Sequence, residues 1–133
     1  MIQIRRNPLI SVLIPAAGIA IVGAAVYIEN YILGAVGGVH IALGVLMQLN
    51  PVVVIEKDKV LLKNLIGMTR AEYPHDGLEL LDVRADKLHI VHQGQRAPIQ
   101  RLNKAWLHPG DWNAMIDIFE KAREMAAKAA LRR

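Results

Sequence analysis

Pro8 to Ile28 reads PLISVLIPAAGIAIVGAAVYI, twenty-one residues without a charged side chain. A helix crosses a hydrocarbon core of about 30 Å with roughly 20 mostly apolar residues, so this run is long enough to span. Glu29-Asn30 interrupts it, and Tyr31 to Leu49, YILGAVGGVHIALGVLMQL, adds nineteen residues with no formal charge. Two such runs split by a two-residue polar break predict a tight transmembrane hairpin, with spans over 8–28 and 31–49. A cleaved signal peptide competes for the first run, but its apolar region would measure about 7–15 residues and would not lead at once into a second span. Two core helices of a soluble bundle are the other alternative.

Working outward, the charge density changes abruptly. Residues 7–50 hold one formal charge, Glu29, whereas residues 51–133 hold fourteen Lys/Arg and eleven Asp/Glu. A chain of 133 residues that is 53% hydrophobic and has no cysteine is neither disordered nor disulfide-stapled, and carries no cysteine-based metal, redox or nucleophilic site. The boundary divides the chain into an N-terminal flank plus hairpin (1–50) and a polar domain (51–133). Arg5 and Arg6 precede the first span, the connecting turn lacks Lys and Arg, and Lys57, Lys59 and Lys63 follow the second. Cytoplasmic flanks collect Lys and Arg, which predicts a multi-pass chain with both termini in the cytoplasm; a cytoplasmic (inner) membrane is the expected location. Tyr27 and Tyr31 bracket the turn, where amphipathic rings favour the headgroup level.

Within the spans, Ala16, Ala20 and Ala24 recur at four-residue spacing, as do Gly34 and Gly38. Small residues let helix backbones approach closely in lipid. They serve either the packing of the two hairpin helices or the docking of another membrane subunit. Pro15 removes a backbone donor and is a candidate kink. His40 is the ionisable side chain of the second span; with no second such group to relay a proton, it reads as a neutral, hydrogen-bonded histidine that faces protein or water rather than lipid.

Residues 51–107 switch to short apolar stretches separated by turn residues. Val52–Glu56 and Val60–Leu65 flank Lys57-Asp58-Lys59 as a β-hairpin. Met68–Tyr73 is a weaker strand, ended by Pro74 and Asp76-Gly77. Leu78–Val83 and Lys87–His92 form a second hairpin around Arg84-Ala85-Asp86. Gln93-Gly94-Gln95 then turns the chain into Arg96–Leu102, where Pro98 marks an edge or a bulge. From Pro109 the period becomes helical: Trp112, Met115, Ile116, Phe119, Ala122 and Ala126 share one face of an amphipathic helix over about 109–128. Trp106, Trp112 and Phe119 are expected in the core, and residues 51–130 are expected to fold by themselves.

Short strands followed by one C-terminal helix resemble the pleckstrin-homology-like (PH-like) domains of small bacterial membrane proteins. The resemblance is carried by the hairpin ending at Leu49-Asn50-Pro51, by VVVIEKDKVLLKNL at 52–65, by LELLDVRADKLHIVHQGQ at 78–95, and by Pro109–Arg123. It implies an α+β membrane protein: two transmembrane helices, then a bent antiparallel β-sheet of about six or seven strands capped by one amphipathic helix.

Catalytic patterns are missing from the sequence. It has no Gly-rich phosphate loop, HExxH or GxSxG, and its only hydroxyl side chains besides tyrosine are Ser11 and Thr69. His89 and His92, an odd number of positions apart on one strand, point to opposite faces and do not share a metal. His75-Asp76 reads as a solvated turn. No enzyme activity, cofactor or metal is expected. Acidic residues are interspersed with the basic ones, so a nucleic-acid partner is not expected either. Two functional classes stay open. One is a membrane-anchored interaction module, an accessory or scaffold subunit whose partner is an integral-membrane protein or a second copy, engaged through Ala16, Ala20, Ala24, Gly34, Gly38 and His40. The other is an anionic-lipid-binding module using Arg5, Arg6, Lys57, Lys59 and Lys63, each favoured by about 1 kcal/mol near an anionic leaflet.

The charge asymmetry generates a topology test. A reporter active only outside the cytoplasm, fused after Arg133, should be silent, and a fusion in the Glu29-Asn30 turn should be active. The reverse pattern would overturn the orientation.

Overall fold

The computed structural model describes residues 1–92, 95–99 and 102–132. The expected turn at Gln93-Gly94 and the Gln100-Arg101 part of the expected strand Arg96–Leu102 lie outside the described residues. Among the described residues the fold is α+β, with seven strands in two antiparallel sheets, two apolar helices near the N-terminus and one helix near the C-terminus.

A strand comes before the first helix, where the sequence shows only a short flank. β1 (Ile2–Ile4) leads into α1 (Pro8–Tyr27), which a tight turn joins to α2 (Tyr31–Leu49). Pro8 stands at the first helical position, and the Asn7 side chain accepts from the Leu9 amide at 3.0 Å, satisfying a donor that a helix start leaves free. Asn30 does the same for α2, accepting from the Leu33 amide at 3.0 Å. Glu29 adopts a positive φ of 53° to reverse the chain. Helix α1 continues through Pro15 without a break.

The two helices pack on a seven-residue repeat of small side chains. Ser11, Gly18 and Ala25 are buried on α1, and Gly37 and Gly44 on α2. A Cβ on Gly18 would sit 2.7 Å from the Gly37 carbonyl oxygen, and one on Gly37 would sit 2.8 Å from the Gly18 oxygen. The backbones therefore touch at a point where only glycine fits. Gly44 receives the Pro15 ring in the same way. Both helices are long and apolar enough to cross a membrane, and only 17% and 11% of their most apolar windows are buried.

After α2 come β2 (Val53–Ile55), β3 (Lys59–Lys63) and β4 (Thr69–Pro74), which with β1 form a sheet in the order β1-β2-β3-β4. The register pairs Ile2 with Ile55 and Ile4 with Val53. The helical hairpin is thus an insertion between two neighbouring strands. A 3₁₀ turn at Leu78–Leu80 opens the stretch expected as strand Leu78–Val83. It leads to β5 (Leu81–Arg84), β6 (Lys87–His92) and β7 (Gln95–Pro98), paired in that order. Ala85 and Asp86 both have positive φ, 48° and 59°, as a two-residue turn matched to strand twist requires. Pro98 ends the edge strand β7, where its missing amide breaks no ladder.

Helix α3 (Pro109–Ala130) packs over β1, β5 and the 3₁₀ turn at Leu78–Leu80. Trp112, Met115 and Phe119 fill the core between the sheets, with Ile4, Val53, Ile55, Val60, Leu62, Leu81 and Leu88. The Asp82 carboxylate links three elements, standing 3.2 Å from Arg84, 3.4 Å from Arg123 of α3 and 3.7 Å from Arg96 of β7. Trp106 departs from expectation. It lies in a 3₁₀ turn (Lys104–Trp106), outside the helical period that buries Trp112, and is 60% exposed.

Ile4 is fully buried, so residues 51–130 alone lack a core side chain and an edge strand. In denaturation of the full chain in detergent, Phe119→Ala should cost about 3–5 kcal/mol and Ile4→Ala about 2–5 kcal/mol. A loss for Ile4→Ala well under 1 kcal/mol would place β1 outside the cooperative unit.

Candidate functional site

The sequence-selected basic residues fall into three groups. Arg5 is committed to α3: its Nε and Nη2 donate to the Asp111 carboxylate at 2.9 and 3.0 Å, and its backbone amide donates to the same group at 3.0 Å. This paired fork, the Arg5 hydrogen bond foremost, holds the Asp111 carboxyl down at about 2. Lys57 and Lys59 lie at the β2–β3 turn. That turn is separated from α2 by the length of β2, and neither lysine lines the cavity at the base of the hairpin. Lys59 is also engaged, 3.2 Å from Glu72. Arg6 and Lys63 remain at the base of the helical hairpin.

There they line a cavity of about 730 Å³ between β3–β4 and the segment 102–107. Arg70 joins them from β4, since the register sets Lys63 opposite Thr69 at the hairpin end of the sheet. Leu62, Leu65, Ile66, Tyr73 and Trp106 supply apolar wall, and no described lining residue is acidic. The Arg6 Nε is buried and has no hydrogen-bond partner among the described residues, and burial lowers the pKa of the Arg6 guanidinium from its ordinary value. Arginine remains charged under such a shift.

Both rims of the cavity are tied to the helices. The Asn7 amide donates to the Trp106 carbonyl at 2.9 Å, its side chain donates to the Ala105 carbonyl at 3.2 Å, and Arg6 bridges to Leu107. On the other rim Asn50, just past α2, donates to the Leu65 carbonyl at 2.8 Å. Asn64 accepts from the Ile66 and Met68 amides at 3.1 and 2.9 Å, and Gly67 closes this turn with a φ of 82°. A side chain at position 67 would be strained and would meet Asn50 Oδ1 at 2.7 Å.

The small residues selected from the sequence lie mostly away from the helix–helix contact. Ala16, Ala20, Ala24 and Gly38 are exposed, and nothing lies within 4 Å of a Cβ built on Gly38. Gly34 lies nearer the helix–helix contact: a Cβ built on it would stand 3.6 Å from the Ala25 Cβ of α1. His40 is bonded within its own helix, Nδ1 to the Val36 carbonyl at 2.8 Å. His75 is buried at 6% exposure with both ring nitrogens unpartnered, so it is not a solvated turn residue. Among the described residues no cluster of three His, Cys, Asp or Glu could hold a metal.

Sequence reading missed the cavity because Arg6 and Arg70 are distant in the chain and belong to different elements. The available signal was Trp106, an aromatic in a stretch with neither strand nor helix periodicity.

The Arg5–Asp111 pair generates a pH test. A carboxyl lowered on folding adds stability that is complete above its unfolded value near 4 and is lost as pH falls through about 2. Between pH 4 and pH 2 the melting temperature of the native chain should therefore fall further than that of Asp111→Asn. Parallel curves would remove the bridge from the account.

No family model matches the chain, and neither does any curated protein or solved structure.

Proposed function

We propose that the chain is a non-enzymatic, membrane-anchored interaction module, an accessory or scaffold subunit of a larger membrane protein complex. In this reading α1 and α2 span the cytoplasmic membrane with both termini in the cytoplasm. The β domain is PH-like and presents its surface to a partner at a fixed height above the bilayer. Seven strands in sheets of four and three, followed by one helix packed across them, support the PH-like reading.

The observation that carries the proposal is the insertion of the apolar hairpin between two hydrogen-bonded strands. β1 enters α1 and β2 leaves α2, and the two strands are paired over Ile2–Ile4 and Val53–Ile55. A domain joined through both strands, and pinned again through Asn7 and Asn50, is held in one orientation. A flexible tether would suffice for localisation alone. The exposure of the apolar helices supports the membrane reading over that of a soluble core, whose helices would be mostly buried. The outward small residues Ala16, Ala20, Ala24 and Gly38 leave a smooth surface on which an integral-membrane partner or a second copy can pack.

Two glycine substitutions one position apart separate the roles. Gly37→Leu forces side chain into the α1 backbone and should abolish the folded hairpin. A Cβ at Gly38 has no neighbour within 4 Å among the described residues, so Gly38→Leu should insert and fold normally, yet release the protein from its complex on a native gel of detergent-solubilised membranes. Unchanged mobility for Gly38→Leu would make the hairpin an anchor only.

A further inference from the structure

We propose that the cavity at the hairpin base binds the anionic phosphate headgroup of a phospholipid from the leaflet the helices enter. The inference rests on the membrane-spanning reading of α1 and α2 and names a ligand that this reading leaves open. Position comes first. The cavity lies beside the first residue of α1 and the last of α2, and its rims are bonded to Asn7 and Asn50. A hairpin that crosses the bilayer therefore sets the mouth at the level of the headgroups.

The mouth has the composition that this level favours. Trp106 is 60% exposed, and Ile66 and Met68, on the facing turn, are 57% and 62% exposed. Large exposed apolar side chains are unfavourable in water and favourable at the lipid interface, where tryptophan concentrates. Asn64 and Gly67 fix the turn that carries Ile66, so its exposure is built into the backbone.

Charge selects the ligand. Arg6, Lys63 and Arg70 line the cavity, and no described lining residue carries a carboxylate. Arg6 Nε is a buried donor without an acceptor among the described residues. A guanidinium donor left without an acceptor is unfavourable, and an anionic oxygen in the cavity would offer Arg6 a partner. A phosphodiester accepts the planar guanidinium fork, and its acyl chains continue past Ile66 and Trp106 into the leaflet. An acidic protein segment would match the cations but would not use the apolar rim. Lys57 and Lys59, at the far end of the β2–β3 turn, lie outside this site.

Native mass spectrometry of the full chain in maltoside micelles tests the assignment, with phosphatidylglycerol or phosphatidylcholine added at equal concentration. The native chain should retain phosphatidylglycerol at least about tenfold more than phosphatidylcholine. Arg6→Gln/Arg70→Gln should lose that preference, and Lys57→Gln/Lys59→Gln should keep it. Arg70→Gln alone, at an exposed position, serves if the double variant does not fold; it should lower the preference several-fold. Equal retention of the two lipids by the native chain overturns the site. So does an undiminished preference in the arginine variants, or displacement of phosphatidylglycerol by a poly-glutamate peptide at equimolar ratio. Alkaline carbonate extraction separates the two levels of the argument. Release of the chain from membranes defeats the membrane reading itself, whereas retention without lipid preference defeats the headgroup site alone.

Discussion

The pairing of β1 with β2 is the contact on which the rest of the molecule depends. These strands are separated in the chain by the whole helical hairpin, yet they share three register pairs from Ile2↔Ile55 to Ile4↔Val53. Closing so long a loop is entropically costly, and the hairpin lowers that cost by returning the chain to within strand-pairing distance of its start. The nearly equal lengths of α1 and α2, twenty and nineteen residues, make this possible. In turn the pairing buries Ile4 against Val53 and α3 and presents Arg5 to Asp111. It also brings Arg6 to the rim beside Leu107. Three consecutive N-terminal residues thereby serve the core, an ion pair and a cavity.

The hairpin uses its small residues in two ways. Those at seven-residue spacing, Ser11, Gly18 and Ala25 against Gly37 and Gly44, face inward and permit backbone contact. A period of seven matches two helical turns, so these positions stay on one seam along the antiparallel pair. The four-residue series Ala16, Ala20, Ala24 stays on the outside. Counting small residues therefore does not locate a helix–helix contact. The partner backbone does, through the reciprocal approach of Gly18 and Gly37.

Charge is distributed with similar economy. Arg84, Arg96 and Arg123 converge on Asp82, and Arg5 forks onto Asp111, so these arginines brace the junctions of α3 with both sheets. Their exposure limits what each ion pair contributes, and geometry matters more here than energy. Arg6, by contrast, has no carboxylate partner among the described residues and faces the cavity with Lys63 and Arg70. Four of the basic residues thus act as structural braces and three form a small cationic group at the hairpin base.

Much of this architecture is written locally. The two apolar runs, the Ala85-Asp86 turn and the face of α3 bearing Trp112, Met115 and Phe119 are set by residues within one or two helical turns of each other. Hydrophobic period and turn chemistry act at that range, and sequence alone determined them. What tertiary structure decided involves residues far apart in the chain. Ile2–Ile4 is too short to read as a strand until β2 offers it a ladder. Gly37 and Gly38 look alike until α1 occupies one side of the helix. Arg6 and Arg70 become a site only because an antiparallel register and an inserted hairpin bring them to the same end of one sheet. Trp106 and Trp112, six positions apart, part company because the helix starts between them. Side-chain type is a local property, whereas burial and juxtaposition are set by which backbone arrives opposite, and that information lies in no single stretch of the chain.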